Sequence, residues 1–301
     1  MRAAIDVGTN SIKLLLADGR RTVQERVTIT RLGEGLGRTG RISEAAMRRA
    51  MTVIADYRKR CDGCPIIAAG TEALRKATNA AEFIERVRRG LGIEIRVLSG
   101  VEEGRLARLG GISDWPGAAT IEIGAGSAQL SSGARTLSLP MGAVAMTERF
   151  LKSDPPTGLE LLTARATMRG LLRSVRMRAG GRVVALGGTA STIGMMWTRG
   201  KRAEVHGLEI DLRELDGFVA EIAAEPVAVR RRRKGLEPDR ADIIVAGGVI
   251  LTESMRAMGA TTITLSVRGL RHGLLMKAAS GDSPRRRSSP STPRRRERRS
   301  P

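Results

Sequence analysis

The chain has 301 residues, 41% of them hydrophobic, and a formal net charge of +21. That is enough apolar material for two ordinary domains with cores of their own, and the lack of any apolar run of about 18 residues excludes a transmembrane helix. A field of this sign attracts polyanions, yet aromatic residues are only 2% of the chain, which leaves almost nothing on which the bases of single-stranded nucleic acid would stack.

The N-terminus enters a strand within two residues and carries no charged segment followed by an apolar one. No secretory leader is therefore expected, and a cytoplasmic location is. "RAAIDVG" and "SIKLLLADG" read as two strands around a Gly-Thr-Asn turn, with a third strand in "RTVQERVTI". "RLGEGLGRTG" holds four glycines and reads as a loop. "SEAAMRRAMTVIADYRKR" has Ser43 as N-cap and apolar residues near helical spacing. "PIIAAG" reads as a short buried strand and "TEALRKATN" as a turn with a short helix. "NAAEFIERVRRGLG" has an Asn79/Glu82 cap pair and a glycine stop, so a helix is expected there. "IEIRVLSG" is a strand, and "SGVEEGRLARLGGI" starts a helix at Ser99. Strands alternating with helices indicate an α/β fold.

The second half repeats the scheme. "AATIEIG", "SAQLSSG" and "ARTLSLP" make a three-stranded meander, followed by helices near 142–152 and 158–178. "GRVVALGGTASTIGMMW" is a strand entering a glycine turn and a helix. "DLRELDGFVAEIA" and "RADIIVAGGVILTESMRAMG" are helical in pattern, the latter with a Gly-Gly pair inside. "TTITLS" is a last strand and "RGLRHGLLMKAA" a last helix. From about Gly281 the composition turns to Ser, Pro and Arg, cannot bury a core and is expected to be disordered. The expected division is a first lobe at 1–114, a second at 115–278 and a basic tail at 279–301. Cys61 and Cys64 form a single CxxC; without a second pair they are expected to be reduced thiols at a helix end.

The two halves match residue by residue at their start. Ile5 meets Ile121, Asp6 meets Glu122, Gly8 meets Gly124, Ser11 meets Ser127 and Leu14 meets Leu130. Such a spacing is too long for a solenoid and points to two related lobes. In the first turn, Gly8 allows close approach of a ligand, and successive N–H groups with Thr9, Asn10 and Ser11 form an anion cradle. Asp6 beside it would repel bare phosphate unless Mg²⁺ lies between them or the acid orients a water. A plain hairpin turn reads equally from one copy alone. The second copy, with Glu122, Gly124, Gly126 and Ser127, favours two hairpins clamping a phosphate chain.

A third glycine site, Gly187-Gly188-Thr189, follows a strand and opens a helix. It suits either anion binding at the helix N-terminus or close packing with Thr189 as cap. In "SGVEEGR", Ser99 and Glu102 fit a capping box, which leaves Glu103 either solvated or facing the phosphate cleft as a water-activating base. Arg75 could fork a phosphate, and His206 in "VHG" is a general acid or an ordinary histidine.

Together these segments resemble the exopolyphosphatase / guanosine pentaphosphate phosphohydrolase family from residue 2 to about 278. "AAIDVGTNSIKLLL" is similar to its first phosphate loop, "TEALRKATNAAEFIERV" to its T-x-A-x-R segment, "LSGVEEGRLARLGG" to its S-G-x-E-E-A-R-L helix and "IEIGAGSAQL" to its second phosphate loop. "RLGEGLGRTGRIS", "LGGTAST", "VHG", "RADIIVAGGVIL" and "RGLRHGLL" follow in the family order. The resemblance implies the two-lobed actin-like fold shared with chaperone ATPases and sugar kinases, built from duplicated ribonuclease H-like domains. It implies Mg²⁺-dependent removal of terminal phosphate from polyphosphate, guanosine pentaphosphate or both, by a cytoplasmic protein for which a homodimer is possible. By resemblance Glu103 matches the proposed catalytic base, and Asp6 and Glu122 match the acids that place metal or water. Asn10, Ser11, Arg75, Gly124, Gly126 and Ser127 match phosphate-contacting positions.

The second loop departs from the family pattern three times. Glu122 stands where Asp is usual, Ala125 where Gly is usual and Gln129 where Glu is usual. The additional C-terminal domains of long members are not expected, and the basic tail could act as an electrostatic arm or be idle. An ATP-dependent kinase or ATPase of the same fold, and a polyanion-binding protein with weakened catalysis, are the competing expectations.

Overall fold

The computed structural model describes residues 1–19, 21–173 and 177–280. The expected disordered tail falls on residues that lie outside those described, apart from its first two. The chain opens with β1 (Arg2–Val7), β2 (Ser11–Asp18) and β3 (Arg21–Ile29), then a one-turn helix α1 (Leu36–Thr39) inside the expected glycine loop. Next come α2 (Glu44–Arg60), β4 (Ile66–Gly70), α3 (Glu72–Lys76), α4 (Ala80–Leu91), β5 (Ile95–Val97) and α5 (Gly100–Gly111). The sheet order is β3-β2-β1-β4-β5, antiparallel across the first three strands and parallel from β1 to β5. β1 is central, and Ala3, Ala4, Ile5 and Val7 are fully buried, as a strand covered on both faces requires.

The second lobe repeats the plan with β6 (Ala119–Ile123), β7 (Ala128–Ser132), β8 (Arg135–Leu139), α6 (Ala143–Phe150), α7 (Gly158–Leu172), β9 (Val183–Leu186) and α8 (Gly187–Trp197). It continues through β10 (Glu209–Asp211), α9 (Leu212–Ala223), α10 (Val227–Arg230), α11 (Ile244–Met258) and β11 (Thr262–Leu265). The order β10-β11-β9-β6-β7-β8 contains the same meander and the same two parallel strands, with β10 added at the edge. This is the duplicated two-lobed α/β architecture the sequence predicts. α7 is shorter than expected, ending at Leu172.

Local signals explain most helix boundaries. The Ser43 hydroxyl accepts from the Ala46 amide at the start of α2, Thr157 and Glu160 form a reciprocal capping box at α7, and Gly92 ends α4 in a left-handed conformation with φ 64°. Two expected caps differ. Asn79 makes no cap bond and instead clasps the backbone N–H and C=O of Ile42, holding the glycine loop down. Glu102 completes no box at Ser99; its carboxylate goes to Arg96 and Lys277. A tertiary partner outcompeted the local one in both cases.

α11 is buried on every side from Ile244 to Met255, a core helix rather than an amphipathic one. A Cβ on Gly247 would stand 2.7 Å from the Thr189 methyl, and one on Gly248 2.5 Å from a Val219 methyl. The glycine pair thus lets α8 and α9 approach, which outweighs the helix-propensity cost of about 1 kcal/mol per glycine. Glu253 on the same helix is 1% exposed and is bonded to Arg165, Arg169 and Arg256.

The last helix, α12 (Leu270–Ala279), returns to the first lobe. Leu274 and Leu275 join Ala4, Leu15, Leu98 and Leu106 in one cluster, and Gly273 and Gly110 let α12 and α5 touch backbone to backbone. Arg271 donates to the Leu14 carbonyl, and Glu25 of β3 pairs with Arg202 of the second lobe. Two connections therefore join the lobes, at 112–118 and 266–269, and Arg268 ties them together through Asp114 at 2.6 Å. Among the described residues no helix is long and apolar enough to cross a membrane.

Candidate active site

The two hairpin turns are the same object in two lobes. The Gly8 amide donates to the Ser11 carbonyl at 3.1 Å, and the Gly124 amide to the Ser127 carbonyl at 2.9 Å. A Cβ on Gly8 would stand 2.9 Å from the Ser11 carbonyl oxygen, and one on Gly124 3.3 Å from that of Ser127. Close approach of the backbone is what asks for glycine at both positions. The turn carbonyls are tied from behind. Asn10 accepts from Thr30 and Arg31, Thr9 from Gly33, Gly124 from Ala143, and Ala125 from Val144 and Ala145. Among the described residues the amides of Thr9, Asn10, Ala125 and Gly126 make no such bond, so each turn has N–H groups to offer an anion.

Each strand leading into a turn ends with an acid. Asp6 on β1 lies opposite Lys13 on β2, and Glu122 on β6 lies opposite Gln129 on β7. Lys13 Nζ is 3.4 Å from Asp6 Oδ2, while Asp6 Oδ1 is buried without a partner. Glu122 leans on the first residue of α8: a Cβ on Gly187 would lie 3.5 Å from its Oε1. Glu103 occupies the first turn of α5, where Arg75 Nη1 bonds its Oε2 at 2.6 Å and the Leu98 carbonyl at 2.9 Å.

Electrostatics join these groups across the lobes. Burial pushes the Glu122 carboxyl up to about 7, the Glu103 and Asp6 charges push the same way, and Lys13 opposes them. Burial likewise raises the Glu103 carboxyl, Arg75 pulls it down, and Asp6 and Glu72 add to the rise. The charges of Asp6 and Glu103 from one lobe thus bear on Glu122 of the other. Gln129 makes the contact physical, since its Oε1 lies 2.5 Å from where a Cβ on Gly104 would stand, one residue after Glu103.

Three expected site residues sit differently. Thr189 is buried against Gly247 and packs α8 on α11, so its side chain does not face the turn. His206 bonds Asp114 at 3.0 Å and packs at a tilt against Trp115, 5.0 Å between ring centroids, at the connection between the lobes. Arg75 holds Glu103 rather than reaching outward. Two residues went unnoticed in the sequence. Lys13 was legible, because a turn of four residues pairs it with Asp6 in the hairpin register. Arg240, whose guanidinium lies 2.5 Å from a Cβ on Gly188 at the start of α8, carried no signal among 52 basic residues.

Residues 16–280 match the model of the Ppx/GppA phosphatase family. The chain belongs to the Ppx/GppA phosphatase family. It is 30% identical over 305 residues to Exopolyphosphatase 1 of Mycobacterium leprae, covering 91% of this chain and 88% of that protein. To Exopolyphosphatase 2 of Mycobacterium tuberculosis it is 28% identical, over 92% of this chain and 98% of that protein. The crystal structure of the Aquifex aeolicus Ppx/GppA family member superposes with a TM-score of 0.84 at 30% identity, covering 93% and 98% of the two chains.

The carboxylates also bear on the expected Mg²⁺. Among the described residues no three His, Cys, Asp or Glu side chains form a ready chelate. Mg²⁺ does not need one, since it is held by one or two carboxylates completed by waters and substrate phosphates. The unpartnered Asp6 Oδ1 and the hard oxygen donors of Glu122 fit that mode.

Proposed function

We propose that this chain releases terminal orthophosphate from inorganic polyphosphate, guanosine pentaphosphate or both, in the cytoplasm, with Glu103 as general base and Mg²⁺ as cofactor. The family and its exopolyphosphatases make the chain a phosphoric anhydride hydrolase. The observation that carries the rest is the contact of Gln129 with Gly104 across the lobes, beside two matching glycine turns, with the charges of Asp6 and Glu103 acting on Glu122.

The free amides of the two turns receive the oxygens of the terminal phosphate. Mg²⁺, when held by Asp6 and Glu122, would neutralise charge on the phosphate oxygens and orient them. Glu103 accepts a proton from a water in line with the anhydride bond. The raised carboxyl makes it a better base than an exposed glutamate, and Arg75 fixes its orientation. The water oxygen bonds to phosphorus, the bridging P–O bond breaks, and the shortened chain leaves with that electron pair. Without metal, burial raises the Glu122 carboxyl to about 7, so a proton limits repulsion of the anion there until Mg²⁺ displaces it.

The test is orthophosphate release, with Mg²⁺, from long polyphosphate, guanosine pentaphosphate or ATP, by the natural protein and by Glu103→Gln. Release from the first or second substrate, and a loss of about 10²–10⁴-fold in the variant, is expected. A Gln variant turning over at the natural rate removes Glu103 from the mechanism. Activity confined to ATP favours the kinase-like alternative.

A further inference from the structure

Residues 230–234 read Arg-Arg-Arg-Arg-Lys, the densest basic run among the described residues. The segment that contains it borders α8 along its length. Gly235 lies against the Met195 backbone near the end of the helix, and Arg240 lies against Gly188 at its start. Lys234 runs beside Gly200, with 3.6 Å between its Cγ and a Cβ on that glycine, so it meets the Arg199–Lys201 turn. This turn is on the interlobe side, since Arg202, next in sequence to Lys201, bonds Glu25 of the first lobe.

Most neighbouring cations have structural partners. Arg233 is held by Glu221 and Glu225, Lys201 by Glu204, Arg202 by Glu25 and Arg240 by Glu237, and Arg230 is buried. Arg199, Arg231, Arg232 and Lys234 are exposed and have no ion-pair partner among the described residues. Four like charges left together repel one another, and nothing in the packing of this lobe needs them there. Among the described residues, exposed Asp239 and Asp242 are the nearby acids without an ion pair, two against the four free cations. The local aromatics offer no platform for bases, because Trp197 and Phe218 pack on each other and Arg233 covers Phe218.

We propose that Arg199, Arg231, Arg232 and Lys234 form a second, non-catalytic binding strip for the distal part of an inorganic polyphosphate chain whose end lies in the cleft. The strip rests on the phosphohydrolase reading above and extends it to the polymeric substrate. α8 begins at Gly187, beside Glu122, and its 11 residues carry the strip about 16 Å away. A long chain reaches that far, while tripolyphosphate, with three phosphorus centres, does not.

The test measures equilibrium binding of long polyphosphate and of tripolyphosphate, with Mg²⁺, to the Glu103→Gln protein. The same protein carrying R231A, R232A and K234A is compared, with melting temperature as a control for folding. The triple change is expected to weaken long-chain binding at least tenfold, to flatten its salt dependence by about two counterions, and to leave tripolyphosphate binding unchanged. Unchanged long-chain affinity overturns the strip. So does an equal loss for both ligands, which would mean a diffuse field, and so does a loss confined to single-stranded oligonucleotide, which would mark a nucleic-acid surface. A natural protein that binds long chains through the strip yet releases no phosphate defeats the catalytic reading and not this one.

Discussion

Glu122 offers a quantitative test of the cleft because its carboxyl is pushed from an ordinary 4.5 up to about 7. A group whose pKa is higher folded than unfolded favours folding in its protonated form. Its effect is absent as a penalty below about pH 4.5, grows between there and pH 7, and is complete above. Each pH unit in that window costs about 1.4 kcal/mol, which sums to about 3 kcal/mol. The side chain keeps some solvent contact, so screening reduces this to about 2 kcal/mol. Glu122→Gln keeps the volume and abolishes the titration. Urea unfolding of both proteins from pH 5 to pH 8.5 gives the difference directly, and most other ionisable groups cancel in it. The variant should gain about 2 kcal/mol on the natural protein as pH rises through 7. Parallel stability curves would mean that Glu122 faces open solvent, and the account of three interacting carboxylates across the lobes would then be wrong.

Gly104→Ala places a methyl 2.5 Å from Gln129 Oε1, so the carboxamide must move by roughly 1 Å to reach ordinary contact; the helix gains about 0.5–1 kcal/mol from losing a glycine. Phosphate release should fall while the melting temperature holds or rises, and adding Gln129→Ser should restore activity; failure of that rescue would break the proposed coupling. Gly187→Ala meets a left-handed backbone at φ +82° and the Glu122 side chain at 3.4 Å, and should lose about 1–2 kcal/mol together with activity; a neutral substitution would show that the entry to α8 is slack. Glu253→Ala takes a buried carboxylate from Arg165, Arg169 and Arg256, but Asp216 still pairs with Arg165 and Arg256 and Arg169 is largely exposed, so a loss of about 1–3 kcal/mol is expected in denaturant titrations; a loss near zero would mean solvent already reaches that network.

The duplicated scheme was legible because both hairpins combine alternating apolar residues with a glycine turn, and because the second copy removes the ambiguity of the first. Asp6 and Glu122 were legible as acids beside such turns, whereas Glu103, in the first turn of a helix, read equally as a solvated residue; Asp6 and Glu103 both bear on the Glu122 carboxyl. Tertiary partners were not. Asn79 and Glu102 obey the local capping pattern yet bond elsewhere, because a buried backbone pair or an arginine outcompetes a cap worth about 1 kcal/mol. β10 went unread apart from Asp211, taken as the start of the helix that follows, since three residues carry no periodicity of their own. The return of α12 to the first lobe has no local signature either; it is visible only once Gly110 and Gly273 are seen to meet.

The two hairpins match in backbone and differ in charge. Where the first lobe sets Lys13 opposite Asp6, the second sets Gln129 opposite Glu122. A carboxylate paired across a strand with a cation adds little net repulsion to an arriving anion, whereas one paired with a neutral amide adds nearly a full charge. The second lobe therefore has to neutralise Glu122 by other means, and a proton or a metal ion are the two available. The raised carboxyl supplies the first near neutral pH, and hard oxygen donors beside a phosphate suit the second. The one-methylene extension of Glu122 over aspartate lets its carboxylate rest on Gly187, nearer the positive end of α8. The helix and either a proton or a metal ion would then act on the same oxygen atoms. On the proposed reaction, the burden of accommodating negative charge would fall on the second lobe, where the sequence departs from the family pattern.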